Sequence, residues 1–159
     1  MDAETYLQQI RRMRHTVEGA KLDMEEAREK ADMLKGMSYD GMPGGAASAD
    51  RMADMAARMD ELYDRFAEAF ERWAALLEQG TAMVDRARAV VTDGHRHAVD
   101  LDHVEIVHRY YILGMHRQTI ADDMGYALPT VDRKKAECLA WMDFARDADG
   151  YPIVPMVSE

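Results

Sequence analysis

Along the first quarter of the chain, apolar and small residues recur at alternating four- and three-residue steps. Tyr6, Ile10, Met13, Val17, Ala20, Met24, Ala27, Ala31 and Leu34 fall on this line, with Arg, Lys, Glu and Asp between them. A mean step of about 3.5 residues keeps such a stripe facing one partner helix, as in a coiled coil or long helical hairpin. Residues 2–36 are therefore predicted as one long helix closed by Gly36. The next stretch, GMSYDGMPGGAASAD (36–50), has four glycines and a proline within residues 36–45. It cannot continue a helix and reads as a turn or hinge.

A second long helix is predicted from a cap at Ser48 or Asp50 to about Val91. Its stripe is Met52, Met55, Met59, Leu62, Phe66, Ala69, Trp73, Leu76, Gly80, Met83, Ala87 and Val90. A second line runs beside it at Ala56, Tyr63, Phe70, Leu77, Val84 and Val91. Three apolar positions per heptad are more than one two-helix seam needs. One edge is expected on the first helix, the other on a second copy of the chain or on the C-terminal helices. Gly80 marks either a close crossing or a kink.

Residues 101–144 change pattern. Leu101, Val104, Ile106, Val107, Tyr110, Tyr111 and Ile112 supply a first short helix, ended by Gly114. A second runs from Gln118 to Met124 with Ile120, Ala121 and Met124 inward. After Gly125-Tyr126-Ala127 a third carries Val131, Cys138, Leu139 and Met142 inward, with Trp141 or Phe144 over an edge. A small residue at 121 permits a close helix crossing, Gly125 can take the left-handed backbone, and Val131 plugs the crossing. This spacing predicts a helix-turn-helix, a device whose second helix presents its outer face to the DNA major groove. The candidate DNA-contacting residues are Arg117, Gln118 and Thr119 at the start of the second helix. On the third they are Leu128, Pro129, Thr130, Asp132, Arg133, Lys134 and Lys135, the basic run supplying guanine or phosphate contacts.

Composition modifies this picture. Net charge is −10, which opposes indiscriminate binding to phosphate. The charge is uneven: residues 1–100 carry 14 basic and 20 acidic side chains, whereas residues 101–146 carry 6 and 7. Methionine, at 14 residues, supplies adaptable helix-packing surface. A lone cysteine, Cys138, excludes an internal disulfide and suits a reducing cytoplasm. No run reaches membrane-spanning length, and the N-terminus lacks a signal-peptide core.

Enzymatic chemistry finds no candidate. His95, His97, His103 and His108, with Asp100 and Asp102, match no zinc spacing and read as a solvated linker. The glycine-rich turn lacks the Gly-Lys-Ser/Thr of a phosphate loop. No nucleophile–base pair or carboxylate pair stands out, so neither catalysis nor a cofactor is expected. The aromatic run Tyr63, Phe66, Phe70 and Trp73 lies among acidic and alanine residues and reads as core or interface.

The stretch RYYILGMHRQTIADDMGYALPTVDRKKAECL is similar to the C-terminal helix-turn-helix of sigma-factor region 4. It resembles more closely the sigma-like phage and prophage regulators of the ArpU/RinA family of late transcription regulators. The shared features are Arg-Tyr-Tyr-Ile before Gly114, Ile120-Ala121, Met-Gly-Tyr at 124–126, and Val131 followed by Arg133 and Leu139. The YLQQI opening and the SYDG turn extend the likeness to the helical N-terminal half. The resemblance implies a phage- or prophage-encoded regulator that binds double-stranded DNA near late or packaging genes. Three positions depart from it. Ala127 replaces a capping serine at a cost of about 1 kcal/mol, partly offset by Pro129 in the first helical turn. Asp132 stands where a polar or basic group is usual, and Lys135 where an apolar one is.

The expected architecture is all-α. A helical hairpin over 1–94 serves dimerisation, a helix-turn-helix domain covers 95–146, and residues 147–159 form a loose tail or a strap. The expected partners are double-stranded DNA, a second copy of the chain in a homodimer, and RNA polymerase. Two other readings compete. One is a helical interaction module docking on RNA polymerase or another regulator without DNA contact. The other is a ring-forming DNA-packaging subunit of small-terminase type.

Overall fold

A computed structural model describes residues 1–37 and 46–155, the side chains of residues 36–48 excepted. Within these residues the secondary structure is helical, apart from one isolated antiparallel bridge between Arg146 and Pro152. The helices are α1 (Ala3–Met37), α2 (Ala46–Val91), α3 (Leu101–Val107), α4 (Arg117–Met124) and α5 (Leu128–Met142), with a π-helical turn, His108–Ile112, continuing α3. No helix among the described residues is long and apolar enough to cross a membrane. Most of the glycine turn lies outside the described residues. Both helix ends beside it shift from expectation: α1 runs one residue past Gly36, and α2 starts at Ala46, before Ser48 and Asp50. The helix-favouring alanines 46, 47 and 49 account for the earlier start.

The chain divides into two compact units. One, Met13–Trp73, holds the later part of α1 and the earlier part of α2. Val17, Ala20, Leu62 and Ala69 of the two stripes are buried in it. The Arg14 guanidinium lies 5.6 Å from the Trp73 ring centre, and Glu26 feels the charge of Arg58. Two helices cannot bury three apolar positions per heptad. Accordingly Tyr63 and Phe70 of the second line stay exposed, as do Leu22, Met33 and Met52. The aromatic run is split: Phe66 and Trp73 are half-buried, and Phe70 bridges them with ring centres 6.0 and 5.8 Å away.

The other unit joins Met1–Arg12 to Ala74–Glu159, so the first turns of α1 and the last third of α2 belong with the C-terminal helices rather than ending at residue 94. Leu7 and Ile10 of α1, Met83, Val84 and Ala87 of α2, and Val104, Ile106, Val107 and Tyr111 are fully or almost fully buried. Gly80 is a close crossing point within α2. A Cβ at Gly80 would lie 2.2 Å from Ile10 Cδ1 and 3.2 Å from Ile112 Cδ1. The Asp2 carboxylate accepts from the Thr5 amide at 2.6 Å and caps α1. Tyr6 donates its hydroxyl to Gln79 of α2 at 2.5 Å.

Helix α3 opens on a capping box. The Asp100 carboxylate accepts from the His103 amide at 3.1 Å, and the His103 ring faces the Asp100 amide at 3.2 Å. The π turn that follows places the Tyr110 and Tyr111 rings edge to face, 4.8 Å apart, and Gly114 ends it at φ +72°. Leu101, expected in the core, is 48% exposed, because it opens the helix on the solvent side. Phe144, at 87%, covers nothing, lying one residue beyond the end cap of α5; Trp141 is half-buried with its ring against His97. Residues 147–155 form a strap. Asp147 and Gly150 turn the chain back, Ile153 is fully buried, and Arg86 of α2 donates to the Pro152 carbonyl at 3.4 Å.

Candidate nucleic-acid interface

Helices α4 and α5 meet around Ile120, Ala121 and Val131, all essentially buried, with Ile106 of α3 beneath them. Gly125 sits at φ +70°, ψ 28°, the left-handed region that glycine enters without strain. Its turn lets the Tyr126 amide reach back to the Ala121 carbonyl at 2.9 Å. Ala127 occupies the N-cap of α5 in extended backbone and supplies no side-chain cap. Pro129, in the first turn, presets the helical φ and has no amide to leave unpaired.

The residues proposed from sequence divide by helical geometry. Arg117, Gln118, Thr119, Pro129 and Arg133 are exposed, and Leu128, Thr130 and Asp132 half-buried. Gln118 donates to Asp122 at 2.9 Å. Arg117 reaches across from α4 to Asp132 of α5 at 3.1 Å, joining the outer faces of the two helices. Arg133 donates through Nη1 to both oxygens of Glu137, at 2.9 and 3.2 Å.

The expectation that Arg133, Lys134 and Lys135 form one basic patch is overturned. Successive helical residues point about 100° apart, and positions three and four beyond Val131 share its inward side. Lys134 is 11% exposed; its ammonium lies 3.3 Å from Asp100 and 5.4 Å from the Tyr126 ring centre. Lys135 lies 4.2 Å from the Tyr110 ring centre, whose ring also receives the Arg11 guanidinium at 3.9 Å. Both lysines brace α5 against the rest of its unit.

A second correction concerns His103. It is not a solvated linker residue but a buried one, at 7% exposure. Its Nδ1 is 2.6 Å from Asp100 Oδ1 and its Nε2 3.1 Å from Glu137 Oε2. Burial pushes the Asp100 carboxyl up, but bonds from His103 and Lys134 outweigh it and bring it down to about 2. Glu137 is likewise held below its ordinary value, by His103 first and then by Arg133. The Tyr126 hydroxyl donates to Asp102, and this raises its pKa. Glu137 and Asp100 were missed as site residues. Asp100 with His103 three residues on has capping-box spacing, a readable signal; the approach of Glu137 from α5, 34 residues away, is not.

Every base in this region is thus engaged. Arg109 completes the pattern, bonded to Glu105 at 2.8 Å and facing Asp123 at 3.5 Å. Among the described residues, no group of His, Cys, Asp and Glu is arranged to hold a metal ion. Comparison of the chain with protein families, characterised proteins and solved structures finds no match.

Proposed function

We propose that the chain is a sequence-specific DNA-binding transcriptional regulator whose helices α4 and α5 act as a sigma-like helix-turn-helix. One observation carries this reading: the α4–Gly125–α5 turn is packed through Ile120, Ala121 and Val131, while Arg117, Thr119, Pro129 and Arg133 are each exposed. In such a device the start of the first helix meets the backbone and the start of the second meets base edges. Arg117 suits the first role, and Pro129, Asp132 and Arg133 the second. The resemblance to phage late regulators extends the proposal to a phage or prophage product in the bacterial cytoplasm, with RNA polymerase as a partner. The open Tyr63–Phe70 line suits a homodimer.

The acidic matches of these bases shape the mechanism. With Arg117 on the backbone and Arg133 on base edges, each reader neutralises few phosphates, so the slope of log affinity against log salt is expected at about −1 per reader. Non-specific binding is then weak, and base contacts decide where the protein stops. The same matching supports a second reading, in which the face docks on a protein such as RNA polymerase and DNA is not bound.

Genomic DNA capture separates the two. Full-length protein and an Arg133→Ala variant are mixed with sheared host and prophage DNA and washed at low and moderate salt. Retained fragments are then sequenced. A few sharply enriched sites, lost in the variant, support the regulator. No enrichment at any salt overturns it in favour of a protein partner.

A further inference from the structure

Glu137 touches both the exposed Arg133 and the buried His103. The two Arg133 contacts, at 2.9 and 3.2 Å, come from the single nitrogen Nη1. Among the described residues Nε and Nη2 of Arg133 have no partner, and its side chain is 62% exposed. The open edge is a planar fork of two parallel N–H donors. Such a fork matches the O6 and N7 acceptors that guanine presents in the major groove.

Behind the fork stands a buttress. Glu137 Oε2 is fixed at 3.1 Å by His103 Nε2, and His103 is fixed in turn by Asp100 at 2.6 Å, at the N-cap of α3. The chain of contacts therefore runs from the start of α3 through a buried ring to the outer face of α5. An arginine held before binding gives up less side-chain freedom on reaching its target. The arrangement also matches the carboxylate of Glu137 with the Arg133 guanidinium, easing its approach to phosphates.

We infer that Arg133 reads a guanine through its Nε–Nη2 edge, and that Glu137, anchored by His103, is the positioning residue that holds this edge outward. The inference rests on the DNA-binding reading. It differs from that reading in requiring one base, one edge and one buttress. The same fork also fits phosphate oxygens, so sensitivity to the guanine N7 is what separates a base contact from a phosphate contact.

The test uses the full-length chain. Duplexes are selected from a random pool, and binding to the selected duplex is compared with the same duplex carrying 7-deazaguanine, which lacks the N7 acceptor, at each guanine in turn. Wild type should lose roughly tenfold in affinity at one guanine, within the range of a bidentate base contact. Arg133→Ala, which removes the fork, should become indifferent to that replacement. Glu137→Ala should lose most of the discrimination with its melting temperature checked alongside, and Glu137→Gln, which keeps an acceptor, should recover part of it. If wild type selects no motif, the DNA-binding reading itself fails. A motif insensitive to 7-deazaguanine, or equally sensitive in Arg133→Ala, overturns the guanine assignment and leaves DNA binding standing. Full discrimination in Glu137→Ala overturns the positioning role.

Discussion

The amide of Ala3 donates to the Asp143 carboxylate at 2.6 Å, so the first turn of α1 is capped by the residue that ends α5. An amide at a helix start has no partner within its own helix, and a carboxylate there satisfies it and complements the helix dipole. Asp143→Ala should cost about 1 kcal/mol, as other lost helix caps do. Asp143→Asn, which keeps an oxygen acceptor, should cost less. Urea unfolding of the three proteins checks the order; equal stability of the alanine variant and wild type would show that the contact contributes nothing.

Gly80 makes a second prediction with a built-in control. Alanine in place of a helical glycine gains about 1 kcal/mol of helix propensity, but forcing a methyl into a packed core costs roughly 1–3 kcal/mol. The new Cβ would meet Ile10 Cδ1 at 2.2 Å, and Ile10 is fully buried with little room to rotate. Gly80→Ala should therefore destabilise on balance, by about 1 kcal/mol. Ile10→Val deletes the obstructing carbon, so the glycine substitution should cost less in that background than in wild type. A double-mutant cycle by thermal or urea unfolding measures this coupling. Strict additivity would mean that the crossing relaxes elsewhere.

Asp100 sets a pH window. Its carboxyl is brought down from 3.8 to about 2, with the His103 and Lys134 bonds outweighing burial. A depressed acid binds fewer protons folded than unfolded between those values. Its contribution is thus complete above the unfolded value and lost as pH falls towards the folded one. The stability difference between wild type and Asp100→Asn should stay level above about pH 4 and shrink from there towards pH 2. Urea titrations across this range decide it. A difference independent of pH would show that Asp100 acts through packing alone.

How far the sequence carries this structure depends on the range of the interaction. The Ile120-Ala121, Gly125 and Val131 spacing lies within a dozen residues, and helical period alone placed those side chains inward and Gly125 at the turn. The same period, applied past Val131, would have turned Lys134 and Lys135 inward. Reading the Arg-Lys-Lys run as one patch let residue type override geometry. The links between Ala3 and Asp143, Glu137 and His103, and Arg11 and Tyr110 join positions far apart in the chain, with no local signature in residues of ordinary surface type. The role of Gly80 was half legible: the stripe showed that something approached closely, but not that Ile10 and Ile112 did.

The exposed second line of α2 gives the last prediction. Tyr63 is 61% and Phe70 45% exposed, spaced seven residues apart on one face, with half-buried Ala67 between them. A helix face of this kind favours another helix, because burying each aromatic ring from water stabilises by roughly 1.5–3 kcal/mol. The proposed homodimer uses this line, which would set two readers on one piece of DNA. Sedimentation at ~10 μM, far above the nM range of tight specific complexes, should then give twice the chain mass. Tyr63→Glu with Phe70→Glu should give a single chain of unchanged helicity, because both positions already face solvent. The same variant should keep the base preference of one reader while binding a selected duplex more weakly, since two linked contacts hold better than one. A wild-type monomer at that concentration would remove the dimer from the proposal, and a dimer untouched by the substitutions would move its interface to another face.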